Sequence, residues 1–343
     1  MPTQIKKLPK SQVEITGTIS AEDLEVAVKK SLKHFAGHVE MPGFRKGSVP
    51  EKMVAEQIGE AAILEEAAEI ALQEVYPKII EENKIDAIGR PEVKITKLAK
   101  GNPLEFIITA TTMPILELPD YKEIAAKAKP SAEPIVEEQE LNASLDYIRK
   151  SRAKKEKDAE GKEMEILPKL TDEFAKSVGK FENVTELKNA ISENIKFEKS
   201  LKARGARRAE ILETIAKETK VELPDLLIHS ELEDMTHEMK HNVENMGMKW
   251  EDYLANIKKT DEELRKDWHP DAERRVKVGL VMHEIGEKEK LEPTEEEVDK
   301  NLEQFSARYA TAGKNTDQDS LRRHVYGALK NEAILKFLEE QTK

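Results

Sequence analysis

His237-Glu238-Met239-Lys240-His241 carries the H-E-x-x-H spacing, in which two histidines one helical turn apart can bind zinc and the glutamate can activate a water for hydrolysis. A helix through this stretch also aligns Ile228, Leu232, Met235, Met239 and Met246 along one stripe. His237 and His241 each fall two residues past a stripe methionine, roughly 200° around the axis, beside Lys240 and Glu244. They belong to the polar face. A catalytic zinc also needs a third ligand and a water-poor cleft; Glu262 or Glu263 can be nominated, but nothing encloses them. A zinc peptidase is therefore the weakest of the functional readings, and no catalytic residue and no metal site is expected.

Other chemistry is absent from the pattern. The chain has no Gly-rich phosphate loop, no G-x-S-x-G elbow and no EF-hand spacing, and its carboxylates are spread along helix faces as solvated charge. No cofactor is expected. Met235, Met239, Met246 and Met248 crowd a short stretch instead. Flexible thioethers repack against many apolar partners, as a promiscuous client-binding surface requires, yet the same spacing also fills an ordinary core. Both readings stand at this stage, core being the plainer one.

Pro42 to Pro50 form a loop of a different kind. The two prolines stiffen its ends, Gly43 and Gly47 allow backbone angles closed to other residues, and Phe44, Arg45 and Lys46 are pushed outward between them. An aromatic beside two cations can insert and ion-pair at once. This is a docking tip rather than a catalytic one.

The chain has 343 residues, more than one core usually serves, and no apolar run of membrane-spanning length. No apolar segment follows the charged start at Met1–Lys10, so no signal peptide is expected and the location is read as cytoplasmic. The absence of cysteine excludes disulfides, thiol nucleophiles and cysteine-bound metals. With 36% charged and 5% aromatic residues, long solvated helices fit better than one compact globule. A net charge of −12 argues against general nucleic-acid binding, but residues 1–50 hold eight Lys/Arg against five Asp/Glu, so this end alone can approach RNA.

The elements that must position these residues follow from periodicity. Val13, Ile15 and Ile19 mark a strand; Ser20 caps a helix through Leu24, Ala27, Val28, Leu32 and Phe35. A second helix runs from Pro50 past Leu72 until Pro77 kinks or ends it. Strands at 92–98 and 104–112, joined by a turn at Lys100-Gly101-Asn102-Pro103, complete an α+β domain over 1–113. Residues 114–149 read as a Pro-punctuated connection and a helix, and 150–162 as a charged, exposed linker or frayed helix end. Residues 163–343 read as helical, with Thr185 capping a helix to about Thr219 and Gly205 marking close packing within it, Pro224 beginning the next helix, a turn near Met246-Gly247 and a short segment over 250–257 after it. The expected fold is thus a small antiparallel sheet with helices, followed by an extended, mainly helical domain with two arm-like hairpins.

The stretch Gly43-Phe44-Arg45-Lys46-Gly47 resembles the signature of trigger factor, the bacterial ribosome-bound chaperone family. Ile85–Pro91, Glu222–Pro224 through Ile228–Glu231, and Arg274–Leu280 resemble that family too, in its order. The resemblance implies an ATP-independent chaperone that docks on the large ribosomal subunit, at the protein beside the exit tunnel and the nearby RNA, through Gly43, Phe44, Arg45, Lys46, Gly47 and Pro50. It implies nascent and unfolded polypeptides as clients, allows further copies of the chain as partners, and implies no membrane. The family usually carries an inserted prolyl-isomerase domain where this chain has only residues 150–162. That module is expected to be missing, and with it any enzyme activity. A ribosome-independent holdase is the alternative; it would not need the Phe44-Arg45-Lys46 tip.

Overall fold

The computed structural model describes residues 3–39, 44, 49–129, 133–157, 163–311 and 317–341, with side chains throughout except at 154–165 and 307–311. Packing groups the chain discontinuously: Met1–Glu117 with Thr219–Leu280 forms one unit, and Leu118–Glu218 with Val281–Lys343 the other.

The first unit opens with strands β1 (Thr3–Leu8) and β2 (Gln12–Ile19), then helices α1 (Ala21–His38), α2 (Glu51–Ile58) and α3 (Glu60–Glu82), then strands β3 (Ala87–Lys97) and β4 (Leu104–Thr112). The four strands form one antiparallel sheet in the order β1-β2-β4-β3. Alternation along β2 and β4 turns Ile15, Ile19, Leu104, Phe106 and Ile108 to one face, where they pack with Leu24 and Ala27 of α1 and Ala67, Ala68, Ala71 and Leu72 of α3. Gly17 pairs with Phe106 across the ladder, and a Cβ there would lie 2.5 Å from the Phe106 ring, so the residue must be glycine for the ring to sit flat on the strand. Buried Ser31 of α1 donates to the Ile63 carbonyl of α3 at 3.1 Å, which satisfies its hydroxyl and ties the two helices.

Several expectations are met and several corrected. Ser20 caps α1, its Oγ accepting from the Asp23 N–H at 3.1 Å. The helix expected from Pro50 is instead two helices, broken at Gly59, whose φ of 91° is one that side-chain-bearing residues avoid. Pro77 does not end α3, because Ile79 and Ile80 beyond it pack into the core and offset the lost backbone bond. β1 leaves no period-two signal in the sequence, because it is an edge strand whose lysines are exposed.

The same unit contains α8 (Asp225–Asn245), α9 (Trp250–Ile257) and the first part of α10 (Asp261–Glu289). The turn at Met246-Gly247 is confirmed, with Gly247 at φ 77°.

The second unit is built on α4 (Tyr121–Lys127), α5 (Glu138–Ser151), α6 (Asp172–Val178), α7 (Val184–Glu218), the end of α10, α11 (Glu295–Thr311) and α12 (Gln318–Glu340). Leu145, Phe174, Ala175, Leu187 and Ile191 join α5, α6 and α7. α4 replaces part of the extended connection; Asp120 caps it by accepting from the Glu123 N–H at 3.0 Å. Asn183, not Thr185, caps α7, accepting from Glu186 at 2.9 Å. Gly205 does not mark close packing: a Cβ there would meet nothing within 4 Å. Residues 154–157 (β5) and 163–166 (β6) pair as an antiparallel hairpin where a linker or frayed helix was expected. The ladder needs only backbone donors and acceptors, so a charged sequence without an apolar face can still pair. Residues 158–162 lie outside the described residues. Among the described residues no helix is long and apolar enough to cross a membrane.

Candidate functional site

The residues that flank the Gly/Pro-framed stretch, at the C-terminal end of α1 and the start of α2, are held by packing. Val49, Val54 and Ala36 are buried together, with Leu32, Phe35 and Ile58 against them. Pro50 starts α2, its carbonyl accepting from the Met53 and Val54 N–H groups at 2.9 and 3.1 Å. Phe44 is 39% exposed, a large apolar side chain left in solvent. Gly43, Arg45, Lys46 and Gly47 of the candidate tip lie outside the described residues. Val49 and Val54 were not singled out from the sequence, because isolated valines carry no periodic signal in so short an element.

The methionines separate. Met235 packs with Ile228, Leu232 and Ala272 in the seam between α8 and α10, and Met239 lies half-buried against Val243, Trp250 and Leu264. Met246 is 83% exposed and Met248 is exposed too, both at the turn that ends α8. Met239 is where the stripe turns inward against α9; beyond it the helix end carries its methionines into solvent.

His237 and His241 are exposed on α8, and Glu238 lies 3.5 Å from the Arg275 guanidinium rather than beside an ion site. Glu263, one nominated third ligand, is engaged in capping α10: it accepts from the Thr260 N–H at 2.9 Å, a bond that holds its carboxyl below the usual range. Glu262 is exposed. Among the described residues no group of three or more His, Asp or Glu side chains has the geometry to hold a metal ion.

Three stretches that looked unrelated along the chain meet in this unit. Gly89, at φ 68°, packs on Leu226 of α8; Lys10 donates from its backbone to Glu222 at 3.0 Å and pairs through Nζ with Asp225 at 2.7 Å; Ser11 donates to the Glu222 carbonyl. Lys10 and Ser11 both sit at positive φ, a conformation these two bonds help to hold. Glu117 and Lys220 add a two-bond bridge. Arg275 of α10 then reaches Glu231 and Glu238 of α8. The sheet is thereby fastened to the foot of α8.

Gly89→Ala should cost this unit about 1–2 kcal/mol, from the left-handed backbone and from displacement of Leu226. Both tryptophans of the chain, Trp250 and Trp268, lie here, so urea unfolding followed by fluorescence should report the lowered midpoint.

Comparison with known proteins bears on this arrangement directly. Residues 1–148 match the family profile described as bacterial trigger factor protein (TF), and residues 183–339 match the profile for its C-terminus. The chain belongs to the bacterial trigger factor family. It is 26% identical to the trigger factor of Caldicellulosiruptor bescii, over 95% of this chain and 91% of the relative, and 28% identical to that of Halalkalibacterium halodurans, over 90% of each. A solved trigger factor chaperone, described for promiscuous substrate recognition in folding and assembly, shares the fold with a TM-score of 0.58, 17% identity and 99% of this chain covered. The profile matches leave only residues 149–182 between them, so the middle prolyl-isomerase region of the family is lacking. The alignment with the trigger factor of Caldicellulosiruptor saccharolyticus agrees, extending over 429 positions against the 343 residues here.

Proposed function

We propose that this member of the family is an ATP-independent cytoplasmic chaperone that docks on the large ribosomal subunit through Phe44, Arg45 and Lys46 and shields nascent or unfolded chains, without isomerase activity. The observation that carries the docking reading is Phe44, exposed on a segment whose foot is fixed by Val49 and Val54. A chaperone that must release its clients uses weak, dispersed apolar contacts, each overcome once the client buries that surface in its own core. Met246 and Met248, exposed at the end of α8, are suited to such contacts, and so are Phe197 and Leu201 on α7. Met235 and Met239 act as core in this reading and are withdrawn from the client surface.

Isomerase activity needs an enclosed apolar pocket that grips a proline ring and a twisted amide. The four-residue strands β5 and β6 are too short to wall one. Purified protein is expected to leave the cis/trans exchange of a proline-containing tetrapeptide at its spontaneous rate while, at stoichiometric amounts and without nucleotide, delaying aggregation of a chemically unfolded client. Concentration-dependent isomerisation would overturn the first half; unaltered client aggregation would overturn the second.

A further inference from the structure

The C-terminal turn of α1 holds a side-chain cluster that the docking reading does not use. His34 and His38 stand one helical turn apart with ring centroids 4.7 Å from each other. His38 Nδ1 lies 2.9 Å from the His34 carbonyl oxygen, and His34 Nδ1 lies 3.0 Å from Glu66 Oε1 of α3. A carbonyl oxygen only accepts, so a neutral His38 imidazole carries its proton on Nδ1, while the Glu66 carboxylate stands beside His34 Nδ1 as an ion-pair partner that favours the same tautomer. Each Nε2 is left with its lone pair. Metal-binding histidines are oriented in this way, the far nitrogen donating to a carboxylate or a backbone carbonyl while the near one ligates.

We propose that His34 and His38 form a two-nitrogen chelate for a divalent transition-metal ion of the copper, nickel and zinc class, positioned by Glu66. This departs from the expectation that the chain holds no metal site. Imidazole donors at i and i+4 suit these ions, and two protein ligands leave the remaining positions to water. His38 is the last residue of α1, so the ion adds positive charge where the helix macrodipole is negative and cross-links the final turn. His237 and His241 have the same spacing, but among the described residues no acceptor orients their rings. They are the internal control.

The test is titration of the intact protein with copper(II) chloride in a non-coordinating buffer, read by calorimetry and by the nitrogen hyperfine pattern in electron paramagnetic resonance. One equivalent with two-nitrogen ligation is expected. His34→Ala and His38→Ala should each weaken it by more than about tenfold, Glu66→Gln by about tenfold, and the double variant His237→Ala/His241→Ala should leave it unchanged. Both histidines are exposed, so the variants should fold, which thermal unfolding checks; His34→Gln and His38→Gln provide a second pair. Wild-type affinity in either single alanine variant, or a loss that follows the α8 pair instead, overturns the site.

Discussion

Replacement of Phe44, Arg45 and Lys46 together by alanine is expected to abolish co-sedimentation with ribosomes while leaving thermal unfolding nearly unchanged. A docking tip concentrates its binding energy in an aromatic and an arginine, and truncating two such anchors at about 2 kcal/mol each weakens a complex by roughly a thousandfold. The same side chains contribute little to stability, because the packed foot of the segment is made by Ala36, Val49 and Val54. Added salt should weaken the wild-type complex, since two of the three side chains act through charge. Undiminished binding by the triple variant would remove the docking assignment. Val49→Ala supplies the converse: it opens a buried site and should lower stability by about 1–2 kcal/mol with all three tip residues intact.

The second large effect concerns the pairing of α7 with α12. Glu339 accepts from Arg204 at 2.6 and 2.8 Å and from Arg208 at 2.9 Å, and Arg208 also forks onto Glu332 at 2.7 and 2.8 Å. The Glu339 side chain is only 14% exposed. Hydrogen bonds from Arg204 first and Arg208 second pull its carboxyl down from 4.5 to about 2 against the opposing effect of burial. A folded value below the unfolded one means that ionised Glu339 stabilises the fold at pH above about 4.5 and that this stability drains away as the pH falls toward 2. A shift of this size corresponds to about 3 kcal/mol. Glu339→Gln should therefore cost about 3 kcal/mol at neutral pH, leaving two arginines poorly compensated, and the difference from wild type should vanish near pH 2. Urea unfolding followed by far-ultraviolet circular dichroism measures it. A pH-independent difference would show that Glu339 acts by packing and not by charge.

Much of this protein is legible along the chain, and the legible parts share a cause. β2, β4, α1, α8 and α9 lie within a few residues of where alternation, a Ser cap, Pro224, Trp250 and Met246-Gly247 place them, because local sterics and one-sided burial specify such elements without reference to distant residues. Phe44, expected to face solvent, is exposed. What the tertiary structure decided is contact between positions far apart. Whether Met235 or Met246 faces solvent depends on where α9 and α10 cover α8, and spacing along α8 is identical for both outcomes. That Gly89 needs to be glycine depends on Leu226, and that Lys10 and Ser11 accept a left-handed backbone depends on Glu222 and Asp225, over two hundred residues away. Two histidine pairs of equal spacing, all four rings exposed, differ in their neighbours: Glu66 of α3 reaches His34, and among the described residues no carboxylate reaches His237 or His241. Spacing along a helix is a local property; the partners that packing brings from elsewhere in the chain set what surrounds each pair.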